Sequence, residues 1–554
     1  MAKKAKLKLY ATSLAAATLL AACGGTATDS TESTSNANSG KTEASDNILD
    51  VQFDVEVASL DPQIGTDGAS FQVVASMMEG LYQLDPAGNA APGMAEKTEV
   101  SEDGLTYTFT IRDAKWTNGD AVTAHDFVYA WQRLVDPETG SEYAYIMDIA
   151  GVENAAAIMD GSKAPDTLGA VAKDDKTLEV KLTHPVPYFE SLMAFVSFFP
   201  MNEKFMTEVG ANYGTSPETT IANGAFKLES YEPLATSIKL SKNEDYYDAA
   251  NVALDGMNVL VIKDSQQAML SYQNGDLDVV TLAGEQVDLF KADPEFINVQ
   301  DGYLWYVSVN TQVEGLGNAK LRQAVAKSID REAIVNTALK DGSIPAEFAI
   351  PTGLANGPDG KDFRETADTY LAQDLDAAAA LFKEAKEELG AEEFTFSLLV
   401  EDTESAINVS QMIKSQVEAN LEGLTVEIEQ MPKKTRLDRM QQKDYDMGLT
   451  RWGPDYADPM TYLDLWVTGA SNNNGSWSNE RYDEIVKSAQ TGELASDVEA
   501  RWEALKEAEG ILLDDAAILP VYQKGSAVMI KSNVSGVDFH TVGVPRVYKN
   551  AVID

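Results

Sequence analysis

The stretch at residues 394–452, FTFSLLVEDTESAINVSQMIKSQVEANLEGLTVEIEQMPKKTRLDRMQQKDYDMGLTRW, alternates between two hydrophobic rhythms. Residues 394–400 are a short apolar run of buried-strand length, 406–421 repeat apolar residues at helical spacing, and 424–428 are again strand-like. A short helix at 436–442 and a strand at 445–452 complete the series. Upstream, 375–389 carries the same helical spacing around Phe382 and stops at Gly390. Strand–helix–strand–helix–strand predicts parallel pairing with crossover helices, and helices must then cover both faces of the sheet. The fold class is therefore α/β.

Open α/β sheets bind ligands beyond the carboxyl ends of their strands. The last strand runs directly into Trp452-Gly453-Pro454-Asp455-Tyr456-Ala457-Asp458-Pro459. Gly453 and Pro454 break it, and Asp455 follows. A carboxylate at a strand end, flanked by Trp452 and Tyr456, suits a cation, and the aromatic faces suit an organic ligand. The alternative is that Asp455 caps the next turn or helix.

The texture nearer the N-terminus is different. Residues 105–112 alternate, with Leu105, Tyr107, Phe109 and Ile111 on one face, which predicts a half-buried strand. Asn118-Gly119 is a turn signal. Thr123 and Asp126 then form a helix start, Phe127, Trp131 and Leu134 follow at helical spacing, and Asp136-Pro137 stops the helix. Two textures in 554 residues predict more than one domain and separate lobes.

The single cysteine, Cys23, follows Lys3, Lys4, Lys6 and Lys8, an apolar run at 9–20 and the small pair Ala21-Ala22. The run is shorter than the ~20 residues that span a bilayer. This order resembles a bacterial lipoprotein signal, with residues 1–22 removed and lipid joined to Cys23; a plain secretory signal is the alternative. With one cysteine, an internal disulfide is impossible. Residues 23–47 are rich in Ser, Thr, Asn, Gly and acidic residues and predict a disordered tether. The expected location is the cell membrane, lipid-anchored on the extracytoplasmic face.

The formal charge is −45, from 43 basic and 88 acidic residues. Such a surface repels nucleic acid and anionic headgroups, so contact with a membrane would run through the lipid alone. His125, His184 and His540 share no ligand spacing, so no metal and no cofactor are expected. No phosphate-cradling glycine loop and no nucleophile elbow occurs, and no catalytic residue can be named.

Several motifs in order resemble one family. They are SLDP (59–62), MEGL (78–81), PGMAE (92–96), DGLTYTF (103–109), AKWTNGD (114–120), TAHDFVYAWQR (123–133), PVPYF (185–189), NGAFKL (223–228), LRQAV with IDR (321–331), the segment from Trp452 to Pro459, and ILPVY (518–522). The family is the extracellular solute-binding proteins that serve peptide-importing ABC transporters. The resemblance implies a two-lobed periplasmic-binding-protein-like fold with a hinge and an extra inserted domain. It implies a discontinuous lobe I at 48–80, 205–305 and 520–554, an inserted domain at 81–204, and lobe II at 306–519, with crossovers near Trp305 and Pro520. It implies a monomeric receptor, not an enzyme, that passes oligopeptides to transporter permease subunits, and it assigns Asp455 to the peptide's ammonium. Leu449 stands where relatives of Gram-negative type carry a basic residue for the peptide carboxylate, and Arg451, on the same strand face, is the substitute candidate. Tyr303, Trp305 and Tyr306 are candidates for the cleft wall or for hinge and core packing. A receptor of this fold for one signalling peptide or a metal chelate, a secreted hydrolase and a surface adhesin are the competing readings.

Overall fold

The computed structural model describes residues 47–554, Leu234 excepted. The leader at 1–22, Cys23 and the tether up to residue 46 lie outside the described residues.

The alternation at 394–452 folds as its periods predict. Phe394–Glu401, Leu424–Met431 and Met447–Trp452 are strands, joined by helices Glu404–Asn420 and Lys433–Gln441. Phe394–Glu401 is parallel to both other strands. The preceding helix, Leu375–Leu389, starts where the Asp374 carboxylate accepts from the Ala377 N–H (3.0 Å) and ends at Gly390, whose φ of 65° suits glycine. One boundary moves informatively. The helix expected from 436 begins at Lys433, directly after Pro432, because the polar Lys433-Lys434-Thr435 carry no apolar rhythm.

These strands continue into one large sheet. Its order is Leu424–Met431, Phe394–Glu401, Met447–Trp452, Phe296–Val309, Ile518–Ile530, Val279–Leu282, Ile48–Phe53, Gly256–Val261, Ser237–Lys242, Phe226–Ser230. Ile48–Phe53 is parallel to both of its neighbours, so a second parallel group stands at the far side. Between the two groups run the long antiparallel strands Phe296–Val309 and Ile518–Ile530. Their ladder is interrupted between Gln300 and Leu304 and shifts again between Trp305 and Tyr306.

A separate antiparallel sheet takes Ala95–Val100, Thr106–Ile111, Thr177–Lys181 and Ala170–Asp174, in that order. The helix Ala124–Val135 buries Phe127, Trp131 and Leu134 completely. It begins as predicted, with the Thr123 N–H donating to Asp126 Oδ2 at 2.8 Å. The Trp131 indole donates to the Phe198 carbonyl at 2.9 Å, which satisfies its one polar atom inside the core. Among the described residues no helix is long and apolar enough to cross a membrane.

Candidate ligand-binding cleft

The carboxyl ends of the two parallel groups face one cavity of about 780 Å³. One wall carries Phe53 and Asp54, which end the Ile48–Phe53 strand, together with Asp67 and Phe71 at the start of the helix Gly68–Met77. The other wall is Thr450 to Asp455, at and beyond the end of Met447–Trp452. Tyr143, Tyr145 and Phe195 reach in from the segment that carries the smaller sheet.

Asp455 is presented by a turn with little freedom. A Cβ on Gly453 would meet the Tyr303 ring at 2.4 Å, so only glycine lets the turn approach that strand. The Asp455 N–H donates to Thr461 Oγ1 (3.1 Å), and its Oδ2 accepts from the Tyr145 hydroxyl (3.2 Å). No cation pairs with it among the described residues, and burial pushes its carboxyl up to about 6, against a small opposing pull from Tyr145. The capping role belongs to a neighbour. Asp458 Oδ1 accepts from the Met460 N–H (2.9 Å), and its two oxygens hold Arg501 at 2.7 and 2.8 Å, with both side chains under one-tenth exposed. Asp464, half-buried, is pushed up to about 7 by desolvation and then by the charges of Asp455 and Asp458.

The opposite charge gathers at another part of the wall. Arg451 Nη1 binds Glu401 Oε1 at 2.8 Å, and Arg436 Nη2 lies 3.6 Å from Glu401 Oε2. Arg436 is 1% exposed and its Nε has no partner among the described residues. Lys433 joins them, its ammonium pushed down by burial and then by Arg451. Lys433, Arg436 and Arg451 all line the cavity, and among the described residues Glu401 is the one carboxylate paired with the two arginines, so this wall keeps an excess of positive charge. Among the described residues no group of three or more His, Cys, Asp or Glu could hold a metal ion.

A cavity between strand ends with a bare carboxylate and a cationic wall fits a charged solute. A profile of the bacterial extracellular solute-binding proteins, family 5, matches residues 89–474. This chain belongs to that family. A dipeptide-binding protein of Lactococcus lactis is 34% identical over 522 residues, which cover 91% of this chain and 94% of the relative. Among solved structures, the substrate-binding domain of an oligopeptide ABC transporter from Bacillus anthracis aligns with TM-score 0.75 and 42% identity over 92% of this chain and 99% of that one. Peptide-bound OppA of Listeria monocytogenes aligns with TM-score 0.74 and 35% identity, over 92% and 99%. Family 5 members are solute-binding proteins rather than enzymes, and the α/β fold here is the two-lobed fold of these neighbours.

Within this family 5 protein, the candidate residues divide. Asp455, Trp452, Arg451, Tyr303 and Tyr306 are in the cavity wall. Trp305 and Tyr456 are outside it. Trp305 is 6% exposed, stacks on Tyr522 (5.5 Å between centroids) and lies under the Arg451 guanidinium (4.6 Å). Tyr456 is 1% exposed and stacks on Tyr188 at 4.2 Å, tying the Asp455 turn to the segment with the smaller sheet. Leu449 is fully buried in the sheet. Sequence reasoning did not single out Lys433, Arg436, Glu401 or Tyr145. The one available signal was the cluster Lys433-Lys434 and Arg436 just past a parallel strand's carboxyl end.

Proposed function

We propose that this protein captures oligopeptides in the cleft and delivers them to an ABC importer. The observation that carries the reading is the cleft's polarity. A half-buried Asp455, with no cationic partner among the described residues, suits a peptide's α-ammonium, and the positive excess at Lys433, Arg436 and Arg451 suits its carboxylate. A peptide's main chain offers the same donors and acceptors whatever its sequence, so backbone pairing binds many guests in one register. Water fills the space that side chains leave. The domain boundaries are those named above, with the inserted segment at 81–204 and crossovers near Trp305 and Pro520. The ladder interruption at 301–303 supports a pivot there. The receptor is a monomer, anchored through lipid on Cys23 outside the cytoplasmic membrane, and closure around the guest forms the surface that permease subunits recognise.

Mass spectrometry of ligand released from the purified protein tests this. The expected result is a ladder of mixed peptides; one single species supports a dedicated receptor instead. Calorimetry with matched peptides tests the termini. N-acetylation is expected to weaken binding by at least roughly 30-fold. Equal affinity for free and acetylated peptides removes Asp455 from its role.

Binding should also depend on pH with a defined sign. The empty site's carboxyl titrates near 6, and an ammonium beside it lowers that value. Affinity is therefore full above about pH 7 and falls up to about tenfold per unit as pH drops through 6, with proton release on binding in that range. A Kd flat from pH 7.5 to 5 contradicts it.

A further inference from the structure

We propose that Asp301 is a specificity residue of this cleft that receives the cationic side chain of a lysine or arginine in the bound peptide. The inference rests on the peptide reading above and adds the class of guest preferred.

Asp301 stands in the interrupted part of the ladder, where residues 301–303 have no backbone ladder partner on Ile518–Ile530 and the Gln523 side-chain amide donates to the Asp301 carbonyl instead (2.9 Å). It lines the same cavity as Asp455. Its carboxylate has one hydrogen bond, from Ser526 Oγ at 3.3 Å, and no ion pair among the described residues. Neither nearby cation forms an ion pair with it among the described residues. Lys524 binds Asp341 at 2.5 Å, and Arg546 donates to Thr281 Oγ1 at 2.9 Å and lies over the Phe539 ring. Burial raises the carboxyl even against the pull of Lys524 and Arg546, so the group gains from a further positive partner.

Asp67, another acid of the cleft, lacks this freedom. Asp67 is occupied at the helix start, accepting from the Ser70 N–H (2.9 Å) and the Ser70 hydroxyl (2.6 Å). Asp455 is assigned to the main-chain ammonium. The position of Asp301 is also fixed. A Cβ on the next residue, Gly302, would lie 2.3 Å from the Thr541 carbonyl and 2.5 Å from the Pro454 ring, so the strand is wedged between two chain segments. Pro454, immediately before Asp455, is one of those segments, and Asp301 and Asp455 both line the cavity. The half-exposed Tyr303 ring, two residues on, offers a face to a guanidinium or lysine stem.

The test is calorimetry on a tripeptide series in which lysine, or norleucine as its uncharged analogue, is moved through each position. Wild type is expected to prefer lysine by roughly tenfold or more at one position. Asp301→Asn should abolish that preference while norleucine peptides bind within about twofold of wild type, and Asp301→Glu should restore part of it. Absence of preference at every position in wild type overturns the proposal. So does an Asp301→Asn variant that weakens lysine and norleucine peptides equally, which marks a structural role. If no peptide of either kind binds wild type, the peptide reading itself has failed, and that result is distinct from both.

Discussion

Asp455→Asn is expected to lower peptide affinity by about 30- to 1000-fold while making the empty protein melt higher. The first effect is the loss of a buried charge pair with the ammonium, about 2–4 kcal/mol. The second follows from the carboxyl's upward displacement. Its value is about 6 in the folded, empty protein, against an ordinary 3.8. A group raised by folding contributes stability that is complete below about pH 4 and lost as pH rises through 6. At pH 7 the ionised, unpaired Asp455 therefore costs the empty fold roughly 3 kcal/mol. Asparagine keeps the shape and the bond from Tyr145 without the charge, so differential scanning calorimetry of ligand-free protein should show a rise of a few degrees. The stabilisation that added peptide gives to wild type should largely vanish. A variant that melts lower and still binds peptide would mean that Asp455 serves the turn rather than the guest.

The Asp458–Arg501 pair yields the largest expected change in stability. Asp458→Ala leaves Arg501, 4% exposed, without its counter-charge and removes the cap at Met460. Removing one partner of such a pair costs about 3–5 kcal/mol. Peptide affinity should fall as well, because the turn that aims Asp455 loses its anchor three residues downstream. Replacing both partners by apolar residues of similar volume should recover much of the melting temperature without recovering the affinity. Chemical denaturation of the two variants checks this, and an Asp458→Ala protein as stable as wild type contradicts it.

The parallel group at 394–452 was legible because each element carries its own period, and Gly390 marks its helix stop without ambiguity. Asp455 was legible because a strand visibly breaks before it. Burial in this cleft was less readable. Trp452, Trp305 and Tyr456 look alike in sequence, yet Trp452 lines the cavity while Trp305 and Tyr456 stack on Tyr522 and Tyr188 from distant segments. Their fate depends on partners that no local pattern reveals. Glu401 and Asp301 are two among 88 acidic residues, so nothing in composition separates a buried carboxylate from a solvated one. Arg436 lies on a helix whose polar first turn reads as surface, although it is 1% exposed. The cavity's cations are Lys433, Arg436 and Arg451 rather than a residue at the strand position filled by Leu449.

The break at residues 301–303 has a mechanical outcome. A ribbon stitched on either side of a gap bends at the gap, and here the unstitched piece holds Gly302 and Tyr303, with Pro454 leaning on one and Gly453 on the other. If the proposed pivot lies at this break, grip and swing share a fulcrum: a guest pressing on Tyr303 would also set how far the lobes part.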